Sequence, residues 1–206
     1  MFRTSHEIEW EIYKGNRLLD KGKQEGHSYL KNWVKYIRAQ FAQTRTPVVC
    51  EDGSSRDIGY RRSWCNSEQR ELEFGFWMNS REGDASYGLV VGRGTTPPSP
   101  GDYKLEEKYP HGSGLGYLQY GSTKISDVQL VDNKLLIAVE RSFYNDYKDP
   151  QDITEVGLIV YRREYGRYCF DVRAKFLIMR DVLDTALTVP AYATAVIRYN
   201  IYFIVG

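Results

Sequence analysis

The sequence predicts a mainly β protein: an antiparallel β-sandwich or jelly roll with one N-terminal amphipathic helix. Three observations carry this. Eight or more short segments rich in β-branched and aromatic residues recur along the chain, separated by turn residues and not by helical stretches. Seventeen tyrosines stand against three methionines, and tyrosine suits half-buried strand faces and interfaces where the ring is covered and the hydroxyl stays wet. The richest strand-like segments, 155–161, 176–189 and 195–205, cluster at the end of the chain and read as the centre of a sheet. So hydrophobic a tail has to be paired inside a sheet to escape fraying and aggregation.

A chain of 206 residues can bury an adequate core. It divides into residues 1–46, a hairpin and helix that either fold back or serve as an inter-subunit arm, and residues 47–206, the β-domain. Glu7-Ile-Glu-Trp-Glu-Ile-Tyr-Lys alternates strictly, with Ile8, Trp10 and Ile12 on one side and three glutamates on the other, which predicts a half-buried strand. Gly15-Asn16 is a turn, and Arg17-Leu-Leu-Asp-Lys returns as a short antiparallel partner. From Ser28, a suitable N-cap, the period becomes helical: Tyr29, Trp33, Tyr36, Ile37 and Phe41 share a face, and Pro47 stops the helix. The aromatic face of Trp33, Tyr36 and Phe41 either packs on the core or docks a neighbouring subunit.

Residues 50–70 are polar and turn-rich and predict a surface hairpin or long loop. Strands follow at 72–78 and 87–92. Three prolines and two glycines in 93–102 then forbid regular structure. After a Gly-rich segment at 110–121, residues 123–130 and 134–144 predict a hairpin turning at Asp132-Asn133. Asn145–Asp152 reads as a polar loop, Tyr165-Gly166 as a turn, and Pro190 sits in the last connection.

Charge and motifs limit the chemistry. With 28 basic and 27 acidic side chains the net charge is +1, so no overall field draws the protein to nucleic acid or an anionic membrane. The first residues lack the apolar core of a signal peptide, and no run reaches the roughly 20 apolar residues of a spanning helix. Cys50, Cys65 and Cys169 form no metal-type pair; a Cys50–Cys65 bridge is one option and leaves one thiol over. Gly88-Leu-Val-Val-Gly-Arg-Gly-Thr-Thr-Pro-Pro lacks the Gly-Lys-Ser/Thr ending of a phosphate loop, so its glycines are read as letting the backbone leave the sheet. His6, His27 and His111 are far apart and show no ligand spacing. Asn145-Asp-Tyr-Lys-Asp-Pro-Gln-Asp has calcium-loop composition without the spacing. No pair of carboxylates and no Gly-x-Ser-x-Gly elbow stands out, and Arg61-Arg62 beside Tyr60 and Trp64 reads as a solvated turn. No catalytic, metal or cofactor site is expected.

Several phrases in a shared order resemble small structural proteins of tailed bacteriophages and related archaeal viruses. They are Tyr87-Gly-Leu-Val-Val-Gly-Arg-Gly-Thr-Thr-Pro-Pro running into Asp102-Tyr-Lys-Leu-Glu, Val139-Glu-Arg-Ser-Phe-Tyr-Asn, Ile153-Thr-Glu-Val-Gly-Leu, Leu177-Ile-Met-Arg-Asp-Val-Leu and Val196-Ile-Arg-Tyr-Asn-Ile-Tyr-Phe. Looser matches are His111-Gly-Ser-Gly-Leu-Gly-Tyr and the helix after Gly26. The resemblance covers roughly residues 26–206 and is weakest over 44–75.

It implies a non-enzymatic virion component, made in the host cytoplasm, that decorates a capsid or belongs to a tail. Such a protein acts by forming a homo-oligomer and docking on other virion proteins, here through Trp33, Tyr36, Phe41, Tyr144 and Tyr147. It also suggests that Arg180 and Asp181, charges inside an apolar strand, form a structural ion pair or bond the backbone, with Glu155 similar. The alternative is a carbohydrate-binding, receptor-contacting module of a virus using exposed Tyr60, Trp64, Tyr144 or Tyr147.

Overall fold

Alternation in the first segment does what it predicts. In the computed structural model, which describes residues 3–26, 29–42, 46–58, 63–65, 68–70, 76–165 and 171–204, β1 (Arg3–Lys14) buries His6, Ile8 and Ile12 and turns Glu7, Glu9 and Glu11 outward. Gly15, at φ +58°, makes the turn. The return strand β2 (Arg17–Glu25) runs longer than the short partner expected, with a bulge between Ile12 and Tyr13. The helix α1 (Lys31–Ala42) follows; its expected cap, Ser28, lies outside the described residues.

Two small hairpins occupy the polar region: β3 (Thr46–Val49) with β4 (Ser55–Ile58), and β5 (Ser63–Cys65) with β6 (Glu68–Arg70). Of the strand expected over 72–78, β7 (Phe76–Trp77) is described. Then come β8 (Gly88–Gly92), β9 (Gln119–Tyr120), β10 (Lys124–Ile125), β11 (Gln129–Val131) and β12 (Lys134–Tyr144). β11 and β12 turn at Asp132-Asn133, as expected, with φ of +48° and +60°. The long strands β13 (Gln151–Tyr165), β14 (Asp171–Val189) and β15 (Thr194–Ile204) complete the chain.

The protein is mainly β, in several antiparallel sheets with one helix. The largest sheet runs β12–β15–β1–β2, with β9, β10 and β11 laid end to end along the free edge of β12. The second runs β14–β13, with β8 and β7 end to end along the other edge of β13. The segments 176–189 and 195–205 therefore do not pair. β14 joins β13, while β15 sits between β12 and β1. Pairing is non-local, and neither hydrophobicity nor period encodes it.

The two sheets meet in one core. Tyr199 of β15 reaches across to the Val156 carbonyl of β13 at 3.1 Å and to Asp181 of β14 at 2.8 Å. Ile8 and Ile12, from the 1–46 segment, lie in the same core as Val139 and Ile197, so residues 3–25 fold back on their own chain. The far face of the second sheet is covered by the Pro-rich loop, whose buried Leu105 packs over Gly157.

Edges are treated differently. β14 is capped on its open side by Leu30 N–H to the Ile178 carbonyl, Glu51 N–H to the Lys175 carbonyl and the Gln24 side chain at Val182 and Asp184. β2 carries Lys21 and Lys23 along its open edge, a charge pattern that discourages strand addition.

Candidate recognition surfaces

Buried charge explains several motifs before any surface does. Arg180 and Asp181 are neighbours on a strand, so their side chains leave opposite faces. Their partners are different groups. Arg180 donates to Glu155 (3.0 Å) and Asp102 (2.8 Å); burial alone would lower its pKa, but these two carboxylates raise it. The fully buried Glu155 accepts three further hydrogen bonds from the loop backbone, from Gly94 (3.0 Å), Glu106 (3.1 Å) and Glu107 (2.8 Å). A Cβ at Gly94 would sit 2.6 Å from the Glu155 carboxylate. Gly92 and Gly94 of that glycine-rich phrase are therefore needed for the loop to close on this carboxylate. Asp181 pairs instead with His6 Nε2 (2.9 Å) and the Tyr199 hydroxyl. Burial, then the Asp181 charge, pushes the Tyr199 hydroxyl well above its usual pKa.

Arg141, hidden in the phrase Val139-Glu-Arg-Ser, has a role that pattern reading missed. Its guanidinium is buried over the ring of Tyr120, 4.7 Å from the centroid. It donates to five backbone carbonyls: Gly121 (2.7 Å), Tyr87 (3.2 Å), Leu89 (3.1 Å), Arg81 (3.2 Å) and Asp84 (2.8 Å). Burial brings its pKa down to about 10, so the group remains charged at neutral pH. It pins the 81–87 loop to the sheet.

The loop at 145–152 is not simply solvated, as its composition suggested. Asn145 and Gln151 are buried. The Asn145 amide donates to the carbonyls of Asp149, Val189 and Pro190, and Gln151 donates to Asn145 Oδ1 (2.7 Å) and the Tyr117 carbonyl (2.8 Å) while accepting from Gly116 N–H. This amide pair ties together three loops at one end of the larger sheet. They present Leu115 (66% exposed), Tyr117 (43%) and Tyr192 (52%). Tyr192 holds φ at +57°, uncommon for so bulky a residue. On the same loops, Asp146 Oδ2 accepts from Ser113 Oγ (2.8 Å) and Gln119 Nε2 (3.0 Å). Among the described residues no group of acidic, His and Cys side chains could hold a metal ion.

A second surface lies at the opposite end of β12. Val139 is buried on the inner face of the sheet, but Leu135, on the same face, is exposed because the covering sheet no longer reaches it. Leu130 stands directly opposite Leu135 and Ile125 opposite Val139, so both share that face. With Val128 (61% exposed) in the connection between β10 and β11, and Leu130 (73%), they form an apolar ledge along the edge of β12.

Of the aromatics singled out in the sequence, Trp33 and Tyr36 are half-buried against the core, stacked in a series with Tyr29. Phe41, Tyr60 and Trp64 have side chains outside the described residues. Tyr144 and Tyr147 are half-buried beside the three-loop surface. His111 Nδ1 accepts from Tyr120 N–H, far from His6, and His27 lies outside the described residues. Cys50 is a buried free thiol whose pKa is raised by burial, so the Cys50–Cys65 bridge is not formed. Among the described residues no helix is long and apolar enough to cross a membrane. No family model, curated protein or solved structure matches the chain, and the meaning of these surfaces rests on their own geometry.

Proposed function

We propose that the chain is a non-enzymatic structural component of a virus particle, a β-sandwich that works by docking on copies of itself and on other particle proteins. The observation that supports this reading most directly is the apolar ledge of Ile125, Val128, Leu130 and Leu135. Its best occupant is a second copy of the chain. The open edge of β14 is capped and that of β2 is guarded by lysines, which leaves the ledge as the surface suited to association. Its rim carries both signs, Lys124 and Lys134 beside Asp127 and Asp132, so a two-fold apposition can set opposite charges against each other. The outer face of the same sheet is a ladder of charges, such as Lys23 with Glu7 and Arg198 with Glu140, and suits water. The resemblance to virion proteins supplies the biological setting, and the ordered Pro-rich loop suits a part that bears load without turnover.

Light scattering tests the docking. The intact chain is expected to be a discrete homo-oligomer, and Leu130→Asp with Val128→Asp is expected to give a monomer with an unchanged melting temperature, since both side chains are already exposed. A monodisperse monomer at high concentration would set self-association aside. Mass spectrometry of purified particles tests the setting: the chain should be present in a fixed ratio to the major capsid protein.

A further inference from the structure

We infer that the three-loop surface around Asp146 binds a neutral carbohydrate. The argument begins with register. Gln119 of β9, Tyr144 of β12 and Thr194 of β15 lie in one row across adjacent strands. Asn145 N–H bonds the Ala193 carbonyl and Tyr192 N–H bonds the Asn145 carbonyl, so the pairing of β12 with β15 continues into the loops. There the ladder ends: Ala193 N–H turns to the Pro190 carbonyl, which places Tyr192 beside Asn145, the neighbour of Asp146. On the other side the Asp146 carboxylate is bonded to Ser113, next to Gly112, on which the Tyr117 ring rests. An acidic group on the same cluster of loops as two exposed tyrosines, with half-buried Tyr144 at its base, is the juxtaposition that points to a ligand.

Each part of this surface is held from beneath. The Tyr117 ring rests against Gly112, where a Cβ would come within 2.8 Å of the ring, so the ring is braced while the residue stays exposed. The buried Asn145–Gln151 pair fixes the backbone under Tyr117 and Tyr192. Gln119 Nε2 donates to both Ser113 Oγ (3.2 Å) and Asp146 Oδ2, and Ser113 donates to Asp146 Oδ2. These bonds orient the side chains and leave Asp146 Oδ1 and Gln119 Oε1 without a hydrogen bond among the described residues. Two fixed acceptors beside braced, amphipathic rings suit a molecule with hydroxyl donors and an apolar C–H face, which is the chemistry of a sugar ring. Ordering the rings in advance lowers the entropic cost of binding. A uronic or sialic acid would bring its carboxylate to Asp146 and be disfavoured by like charge.

This inference does not rest on the apolar ledge, which lies at the other end of β12, and either can fail alone. The test is binding of the full chain to an array of immobilised hexose and N-acetylhexosamine oligosaccharides, with sialylated and uronic-acid oligosaccharides alongside. The expected result is binding to neutral members only. Tyr117→Ala and Tyr192→Ala should each weaken it at least tenfold with unchanged melting, while Tyr117→Phe retains it. Absence of binding to any neutral member at millimolar concentration would overturn the inference. So would preference for the acidic sugars, or binding that both alanine variants leave intact. Attachment to host surface protein that survives deglycosylation and is lost in Tyr117→Ala would overturn it too, in favour of a protein partner.

Discussion

The carboxylate of Glu155 is the point at which the Pro-rich loop is most open to attack. Glu155→Ala removes three hydrogen bonds from backbone N–H groups and the strongest buried partner of Arg180. Removing one member of a buried, hydrogen-bonded ion pair costs roughly 3–5 kcal/mol. Arg180 keeps Asp102 at 2.8 Å, which places the expectation toward the lower end. For a chain of this length each kcal/mol moves the melting temperature by about 2–4 °C, so a fall of about 6–16 °C is expected. Glu155→Gln should be nearly as harmful, because its amide nitrogen would face donors: the Arg180 Nε and the Glu106 N–H both approach the same carboxylate oxygen. Thermal melts followed by circular dichroism give the magnitude, and limited proteolysis gives the location, with new cleavage expected between residues 93 and 108. A melting temperature within about 3 °C of the parent for both variants, with the loop still protected, would refute the reasoning that this carboxylate holds the loop.

Two further outcomes follow from buried groups. Arg141→Lys should destabilise by several kcal/mol, about as much as other disrupted buried charge networks, because a lysine has three donors at one point and cannot span five carbonyls; chemical denaturation measures it, and a loss below about 1 kcal/mol would contradict the clamp. At high pH the protein should unfold as its hidden tyrosines ionise. Burial raises the Tyr109 hydroxyl to about 12 and the Tyr120 hydroxyl further, and it pushes the Tyr199 hydroxyl well above its ordinary value. A raised folded pKa means that this stabilisation is complete below the unfolded value of about 10 and is lost as pH rises through the folded one. Tyrosinate absorbance should therefore rise in two steps, the second coinciding with loss of the circular dichroism signal; a single step near pH 10 with the fold intact would contradict it.

What could be read from the chain alone follows physical range. The alternation of Glu7 to Lys14 and the Asp132-Asn133 turn are local, and the structure matches both. Membership of a sheet is not local: 176–189 and 195–205 have similar composition, yet one pairs with β13 and the other with β12 and β1. Arg180 and Asp181 were visible as charges in an apolar strand, but their partners come from residues 6, 102, 155 and 199, which no spacing connects. Leu115 and Tyr117 lay in a segment dominated by glycine, which suggests a connection. The signal available there was large apolar residues alternating with Gly in a loop, a combination that exposes side chains while giving the backbone freedom to fit. Pro190 marked the connection, but not the exposure of Tyr192, whose φ of +57° belongs to the turn closed by Ala193 N–H on the Pro190 carbonyl and fastened by Tyr192 N–H to the Asn145 carbonyl.

The position of β15 between β1 and β12 also sets a clock. β1 is made well before its inner neighbour, whose paired residues lie 181 (Tyr13 to Thr194) to 201 (Arg3 to Ile204) positions further along. At roughly 5–20 residues per second of synthesis, β1 waits on the order of ten to forty seconds for that neighbour. Through that interval the inner edge of β1 stands open, joined for its last part by the facing edge of β12 (Lys134–Tyr144), each with a row of unpaired amides and carbonyls. Closing such distant pairs is slow, and two nascent chains side by side can offer each other the missing strand. Crowded synthesis should therefore yield strand-exchanged dimers, and slower or cooler production fewer of them.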